Sequence, residues 1–87
     1  MRTIWKYKIP VTDEFTISMP QDAKILAVQV QYETPVIWAV VDTDKPDEDV
    51  KFKLYGTGQP DINTVDTMYV GTFQLFDGGF VGHLFIA

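Results

Sequence analysis

The sequence contains no cysteine and a single histidine, His83. Without thiols the chain has neither disulfides nor a thiolate metal site, and one imidazole is too few for a histidine metal site within one chain. We therefore expect no metal and no other cofactor. Stability has to come from apolar packing, for which the chain has 46% hydrophobic residues, including two Trp, four Tyr and six Phe.

Long apolar segments are also missing from the chain. No run approaches the roughly 18 residues of a membrane span, and the first eight residues alternate in polarity, unlike a signal peptide. We expect a cytoplasmic protein without a membrane partner. The 87 residues are enough for one domain over residues 1–87, which would bury roughly 60 to 65% of its unfolded surface.

Negative charge is concentrated in one short segment. Residues 42–49 hold five acids and one lysine, a net charge of -4, which leaves only -1 of the total -5 for the remainder. Asp42 and Asp44 have the spacing that begins a calcium loop, but the glycine and glutamate that such a loop needs later are absent. We expect a solvated loop there. Long nucleic acid is not an expected partner, because it requires many more positive charges.

Seven segments have the residue pattern of strands, mostly with period-two alternation, and turn-forming residues separate them. The predicted strands cover residues 3–9, 14–19, 25–32, 36–41, 50–55, 69–76 and 80–86. Residues 61–67 lack a helical repeat and are interpreted as loop. The sequence thus predicts an all-β fold of about seven short, mostly antiparallel strands in a small barrel or sandwich, with little or no helix.

The apolar positions of this alternation are assigned to the core: Phe15, Ile17 and Met19 in the second strand and Val50, Phe52 and Leu54 in the fifth. In the third strand the core face is expected to carry Leu26, Val28, Val30 and Tyr32. Glycines inside the last two strands, Gly71 and Gly82, indicate bulges or bends. The Asp77-Gly78-Gly79 segment is typical of a hairpin turn.

The fourth strand consists of six consecutive apolar residues, Val36-Ile37-Trp38-Ala39-Val40-Val41. Such a run is typical of a strand that is buried on both faces. In so small a chain the second covering layer would come from a closed barrel, a tight sandwich or another subunit. We therefore expect a homo-oligomer with an interface that includes Ile37, Trp38, Ala39 and Val41.

Positive charge follows two strand faces. Arg2, Lys6 and Lys8 share one face of the first strand, and Lys51 and Lys53 share one face of the fifth. If these strands are neighbours, a positive stripe results that would suit an anionic ligand or an acidic partner. The alternative interpretation is that these lysines keep the sheet surfaces soluble and discourage edge-to-edge pairing.

Two further features have both a structural and a functional interpretation. Gly56-Thr57-Gly58 lacks the helix that phosphate-binding glycine motifs require, so it is either a turn or a nest of backbone amides for an anion. His83 is either a half-buried structural residue or a proton carrier. A hydrolase built on Asp42, Asp77 and His83 is disfavoured because no paired arrangement of these residues is recognisable.

A set of short motifs resembles a family of small uncharacterised proteins encoded by bacteriophages and prophages. The motifs are Ile4-Trp5-Lys6-Tyr7, Met19-Pro20, Leu26, Gln29, Trp38-Ala39-Val40-Val41-Asp42, Gly56-Thr57-Gly58, Tyr69-Val70-Gly71-Thr72 and His83-Leu84-Phe85. The resemblance covers almost the whole chain and implies no catalytic site. It favours a role in a shared surface for Trp38 to Asp42 and for the Gly-Thr-Gly segment with the His-Leu-Phe segment. The acids after Asp42 depart from the family, so function is not expected in that loop.

These observations predict a binding protein rather than an enzyme. The first hypothesis is a phage accessory protein for counter-defence that sequesters a small nucleotide-type immune signal or blocks a host protein. The alternative is a structural or virion-associated β module with no small-molecule ligand. The candidate ligand-binding residues are Lys6, Lys8, Lys51, Lys53, Gly56, Thr57, Gly58 and His83.

Overall fold

The structure is a computed structural model that describes residues 1–87. Its strands are β1 (Arg2–Lys8), β2 (Glu14–Pro20), β3 (Lys24–Gln31), β4 (Thr34–Asp42), β5 (Asp47–Gly56), β6 (Met68–Leu75) and β7 (Phe80–Ile86). The only helical element is a 3-10 turn over Phe76–Gly78. The prediction of an all-β chain with seven strands is confirmed. No helix is both long enough and apolar enough to cross a membrane.

The strands form two antiparallel sheets. One has three strands in the order β1-β4-β3, and the other has four in the order β2-β5-β7-β6. No strand pairs across the two sheets, so the fold is a sandwich rather than a closed barrel. The molecule is thin, with principal extents of 40 × 31 × 16 Å, and each sheet therefore exposes a broad outer face.

The core lies between the inner faces of the two sheets. Phe52 of β5 is fully buried, and its ring stacks on Phe15 of β2 with the centroids 5.1 Å apart. The other buried members of the cluster come from both sheets and from the segment after β1: Ile9, Met19, Val28, Ile37, Leu54, Phe73, Leu75 and Leu84. The alternation that predicted inward positions in β2 and β5 is therefore confirmed.

The apolar run of β4 is buried on one face and partly covered on the other. Ile37, Ala39 and Val41 face inward and are at most 1% exposed, whereas Trp38 faces outward and is half-buried. The three inward residues are thus core of this chain and are not accessible to a second subunit. Of the expected interface residues, only Trp38 is available to a partner.

Burial of Val36, which also faces outward, has a local cause. The Lys6 Nζ donates a hydrogen bond of 2.8 Å to the Gln31 Oε1, which links β1 to β3 across β4. Lys6 is opposite Trp38 and Gln31 is opposite Thr34, so this bond crosses β4 diagonally at Val36, which is 1% exposed. Aliphatic stems of polar residues here replace the second covering layer that the sequence suggested.

The predicted core face of β3 is wrong at two positions, one because the strand contains a bulge and the other because the strand ends earlier than expected. The register shifts between Ile25 and Ala27, so Leu26 is displaced and lies half exposed. Tyr32 falls beyond the strand, in the turn to β4, and is 91% exposed. Val28 is buried, and Val30 lies on the same inward side opposite Pro35 but is 37% exposed. The alternation is reversed only on the N-terminal side of the bulge.

The two strand glycines have different roles. A register shift between Tyr69 and Gly71 confirms the expected bulge in β6. Gly82 pairs regularly with both neighbouring strands, so the expected bulge there is wrong. A Cβ on Gly82 would lie 2.8 Å from the Phe73 Cζ, closer than side chains approach each other. Gly82 is therefore required by core packing.

Two hairpin tips have a strained backbone. Tyr32 and Glu33 form the two-residue turn between β3 and β4 with φ of 50° and 65°, and Phe76 and Asp77 have φ of 55° and 53°. Left-handed backbone costs about 1 kcal/mol or more for residues other than glycine and asparagine. These tips are thus less favourable than the Asn-Gly turns that usually close such hairpins.

Replacing Tyr32 by Asn together with Glu33 by Gly is expected to stabilise the protein by about 1 to 2 kcal/mol, because both residues then tolerate positive φ. For a domain of this size the melting temperature should rise by about 4 to 8 °C per kcal/mol, measured by circular dichroism. Tyr32→Val is the opposing control, since a branched Cβ should make the turn worse. If the Asn-Gly variant melted at or below the temperature of the parent protein, the backbone of this turn would not be strained.

Candidate functional site

The outer face of the four-stranded sheet brings together three of the candidate binding residues, Lys53, Thr57 and His83, with several aromatic side chains. Two cross-strand rows run over β5, β7 and β6. One row is Lys53, Phe85 and Tyr69, and the other is Tyr55, His83 and Thr72. These six residues, with Thr57 from the turn after β5, are called the His83 face.

Local sequence explains why these side chains point outward together. In β5 and β7 the buried residues Leu54 and Leu84 alternate with outward residues, as period-two strands require. In β6, Tyr69 and Thr72 are three positions apart and would face opposite sides of a regular strand. The bulge before Gly71 restores them to the same face.

A continuous chain of hydrogen bonds crosses the His83 face. The Thr57 Oγ1 lies 2.7 Å from the His83 Nε2, and the Thr72 Oγ1 lies 3.0 Å from the His83 Nδ1. The Tyr69 hydroxyl lies 2.6 Å from the Thr72 Oγ1. Both ring nitrogens of His83 are therefore held by hydroxyl groups, which fixes the plane of the ring. The structure thus brings Thr57 and His83, both candidate residues, into direct contact.

The chemistry of this chain depends on where the imidazole carries its proton. If the His83 Nε2 is protonated, it donates to Thr57, and the Thr57 hydroxyl can donate outward. If the Nδ1 is protonated instead, the donor free at the end of the chain is the Tyr69 hydroxyl. A doubly protonated imidazole donates in both directions and leaves an outward donor at each end. The chain can therefore present one or two hydroxyl donors to an anion.

Aromatic rings border the hydrogen-bonded chain. The Phe85 ring packs against Tyr69 and Tyr55, with centroid distances of 5.5 and 5.8 Å. The Tyr55 hydroxyl donates a hydrogen bond of 2.8 Å to the Asn63 carbonyl, which ties the loop after β5 to this face. Tyr69 is 57% exposed, so its ring is accessible for stacking. The rings make this face suitable for a planar ligand as well as an anion.

The Gly-Thr-Gly segment forms a tight turn and not an amide nest. The Gln59 amide donates to the Gly56 carbonyl at 3.1 Å, and Gly58 has the positive φ of 84° that is typical of a type II turn. The Gly56 amide is bound by the Gln59 side chain and the Thr57 amide by the Val81 carbonyl. Of the two interpretations of this segment, the structure agrees with the turn, and of its three amides only that of Gly58 has no hydrogen bond within the chain. The segment instead positions the Thr57 hydroxyl.

The candidate lysines do not form one positive stripe. β1 and β5 belong to different sheets, so Lys6 and Lys8 lie on the opposite side of the sandwich from Lys51 and Lys53. Lys53 lies directly beside Phe85 in the His83 face, and Lys51 precedes it on the same side of β5. The condition for a stripe was that these two strands are neighbours, and the strand order does not meet it.

The outer face of the three-stranded sheet carries a cationic surface that differs from the expected stripe. The register places Lys24 of β3 opposite Val40, on the same outward side as the basic residues of β1. Four of the seven basic residues thus share the outer face of the three-stranded sheet, with Trp38 between them. This surface, called the cationic face, consists of Arg2, Lys6, Lys8, Lys24 and Trp38. Sequence alternation alone did not connect Lys24 to it.

Asp42 and Asp77 do not join His83, whose two hydrogen-bond partners are hydroxyl groups. Asp42 is engaged elsewhere: the Asp44 amide and the Met1 amino group bind its carboxylate and hold the pKa of Asp42 below its usual value. In the same segment Lys45 binds Asp22 at 2.6 Å, and this hydrogen bond raises the pKa of Lys45. Asp42, Asp44 and Lys45 of the acidic segment thus already have partners within the chain.

Four of the seven residues of the His83 face were not predicted as binding residues from the sequence. Tyr55, Phe85, Tyr69 and Thr72 were read only as strand residues or as parts of a family motif. Their outward direction in β5 and β7 follows from alternation and could have been used. The position of Thr72 depends on the bulge in β6, for which Gly71 was the only signal.

Comparison with known proteins gives one match. A family described as a domain of unknown function, DUF7352, matches residues 1–87. The chain belongs to the DUF7352 family. No curated protein and no solved structure matches the chain.

Proposed function

We propose that this protein binds a small anionic ligand of the nucleotide type on the His83 face and acts by sequestering it. The sequence resembles a family of phage proteins, and for a phage protein the ligand would be a nucleotide signal of host immunity in the host cytoplasm. The observation that supports this best is the chain of hydroxyl donors through His83, bordered by accessible aromatic rings and by Lys53.

The dimensions of the face favour a nucleotide over a simple phosphate ion. Lys53 lies near one end of the face and Thr57, in the turn after β5, lies at the other, four residues apart in sequence and thus at most about 14 Å apart along the chain. Tyr55 lies between them in β5, and its ring packs against Phe85, which is opposite Lys53. A ligand with both a planar base and phosphate groups could use the rings and the donors at once.

We propose binding without turnover. A hydroxyl group beside an imidazole is the beginning of a nucleophilic site, and Thr57 and His83 have that contact at 2.7 Å. However, the other ring nitrogen faces the Thr72 hydroxyl and not a carboxylate that would stabilise an imidazolium. This arrangement favours holding a ligand over activating Thr57.

A second candidate function is supported by the cationic face. Four of the seven basic residues lie on this face of a chain whose net charge is -5. Such a surface suits an acidic region of a host protein. Self-association through Trp38 is less favoured, because two copies of this face would bring like charges together.

Isothermal titration against a panel of cyclic dinucleotides and ADP-ribose-type nucleotides tests the first candidate. We expect at least one of these nucleotides to bind. Thr57→Val keeps the side-chain shape but removes the hydroxyl, and Lys53→Ala removes the charge. Each should weaken binding by about 10-fold or more, since a hydrogen bond to a charged group contributes about 1.5 to 3 kcal/mol.

Lys6→Ala is the matched control, because it removes the same charge from the opposite side of the sandwich. Its affinity for the nucleotide should equal that of the parent protein. If Lys6→Ala weakens binding as much as Lys53→Ala does, the ligand does not bind on the His83 face. If no nucleotide in the panel binds, the proposal of sequestration is contradicted and the acidic host protein becomes the stronger candidate.

A further inference from the structure

The largest cavity of the molecule lies away from both of these faces, between two hairpin tips. It has a volume of about 500 Å³, which is within the range of small-ligand sites. One wall comes from the turn between β3 and β4, and the other comes from the end of β6 and the turn that follows. The lining residues are Val30, Glu33, Gln74, Leu75, Phe76, Asp77 and Gly78.

Both tips expose an aromatic side chain. Phe76 lines the cavity and is 81% exposed, and Tyr32, which precedes Glu33 in the opposite turn, is 91% exposed. Neither ring is buried in the core. Large aromatic side chains at such exposure are typical of surfaces that become covered when a partner binds.

The backbone of the tips agrees with this interpretation. Tyr32, Glu33, Phe76 and Asp77 all have the positive φ that glycine or asparagine would adopt without strain. Strained backbone is found preferentially at binding sites, where the side chain is needed for contact with a ligand. The tips therefore retain residues with unfavourable backbone, and three of these, Glu33, Phe76 and Asp77, line one cavity.

The charge of the cavity determines which ligand fits it. Its two charged lining residues, Glu33 and Asp77, are both carboxylates. The ion pairs of the chain involve only the Met1 amino group and Lys45, so neither carboxylate is neutralised. The cavity thus combines uncompensated negative charge with the apolar side chains of Val30 and Leu75.

We propose that this cavity receives an arginine side chain presented by a protein partner. The guanidinium would lie between the carboxylates of Glu33 and Asp77, with the Phe76 ring beside it. Its aliphatic stem would contact Val30 and Leu75. Arginine fits better than lysine, because a planar guanidinium can bind carboxylates with paired hydrogen bonds and stack on aromatic rings. The exposed Tyr32 ring, outside the cavity, would contact residues that flank the arginine.

Titration monitored by ¹⁵N–¹H NMR tests the proposal with two defined probes. Nα-acetyl-arginine amide should shift the backbone amides of Glu33 and of residues 74–78, with saturation in the millimolar range. Nα-acetyl-citrulline amide has nearly the same shape without the charge and should leave them unchanged. The peptide acetyl-Leu-Arg-Leu-amide should bind at least several-fold more tightly, because its flanking residues reach Tyr32 and Phe76.

The variant Glu33→Gln with Asp77→Asn should lose this binding while keeping its fold, since both side chains are exposed. The matched control, Asp61→Asn with Asp66→Asn, removes two exposed charges at positive φ from another loop and should bind as the parent does. Unchanged binding of Nα-acetyl-arginine amide to the first variant would overturn the site. Amide shifts in the acidic segment, residues 42–49, as large as those at the cavity would overturn it as well. Equal affinity for the peptide and the single arginine derivative would overturn the protein partner.

Discussion

Replacing Phe52 by alanine should remove a large share of the free energy of unfolding of this protein. Phe52 is fully buried at the centre of the sandwich and stacks on Phe15. Truncating a buried phenylalanine costs about 3 to 5 kcal/mol, from lost apolar burial and from the cavity that remains. A domain of this size has a total stability of about 4 to 13 kcal/mol, so the loss removes a large share of it. Urea denaturation followed by circular dichroism measures the effect.

The same substitution at an exposed phenylalanine is the control. Phe76→Ala removes the same ring from a position that is 81% exposed and should change stability by no more than about 0.5 kcal/mol. If Phe52→Ala melted within a few degrees of the parent, the stacked core between β2 and β5 would be contradicted. Equal costs for the two variants would contradict the assignment of the inner and outer positions.

Gly82→Ala should lower stability by about 1 to 2 kcal/mol. The new Cβ would lie 2.8 Å from the Phe73 Cζ, 3.0 Å from the Phe80 Cε2 and 3.1 Å from the Leu54 Cδ1. Overpacking of a core typically costs about 1 to 3 kcal/mol. The lower entropy of the unfolded alanine chain offsets about 0.4 to 1 kcal/mol of this. Thermal denaturation should show a drop of about 4 to 8 °C per kcal/mol.

A double-mutant cycle separates this overlap from other effects of the alanine. Phe73→Leu removes the ring atom nearest to the new Cβ, so the double variant should be more stable than the sum of the two single losses implies. Simple additivity would show that the Phe73 contact does not cause the cost. An unchanged melting temperature for Gly82→Ala would show that the space beside Gly82 is larger than the structure has it.

Much of the architecture could be predicted from local patterns. Alternation in β2 and β5 placed Phe15 and Phe52 inward, because a strand with one wet face needs apolar residues at every second position. The same rule failed in β3, where the bulge at Leu26 changes the side on which residues point. A bulge has no alternation signature of its own, so periodicity cannot locate it.

The candidate site was predictable only in part, because it depends on which strands are neighbours. β5 pairs with β7, and this pairing brings Thr57 to His83 across 26 residues of sequence. The separation of Lys6 from Lys51 has the same origin, since β1 pairs with β4 in the other sheet. Strand order depends on long-range packing, and the local pattern of a strand does not specify its partner.

The central claim is that the His83 face is the ligand surface, and the imidazole of His83 reports on it directly. Because the chain has one histidine, the ring gives a single set of NMR signals. A nucleotide that binds in calorimetry should shift these signals with the same dissociation constant. Thr57→Val should raise the dissociation constant by the same factor in both measurements. Calorimetric binding with unchanged His83 signals would contradict the claim, because the ligand would then occupy another surface.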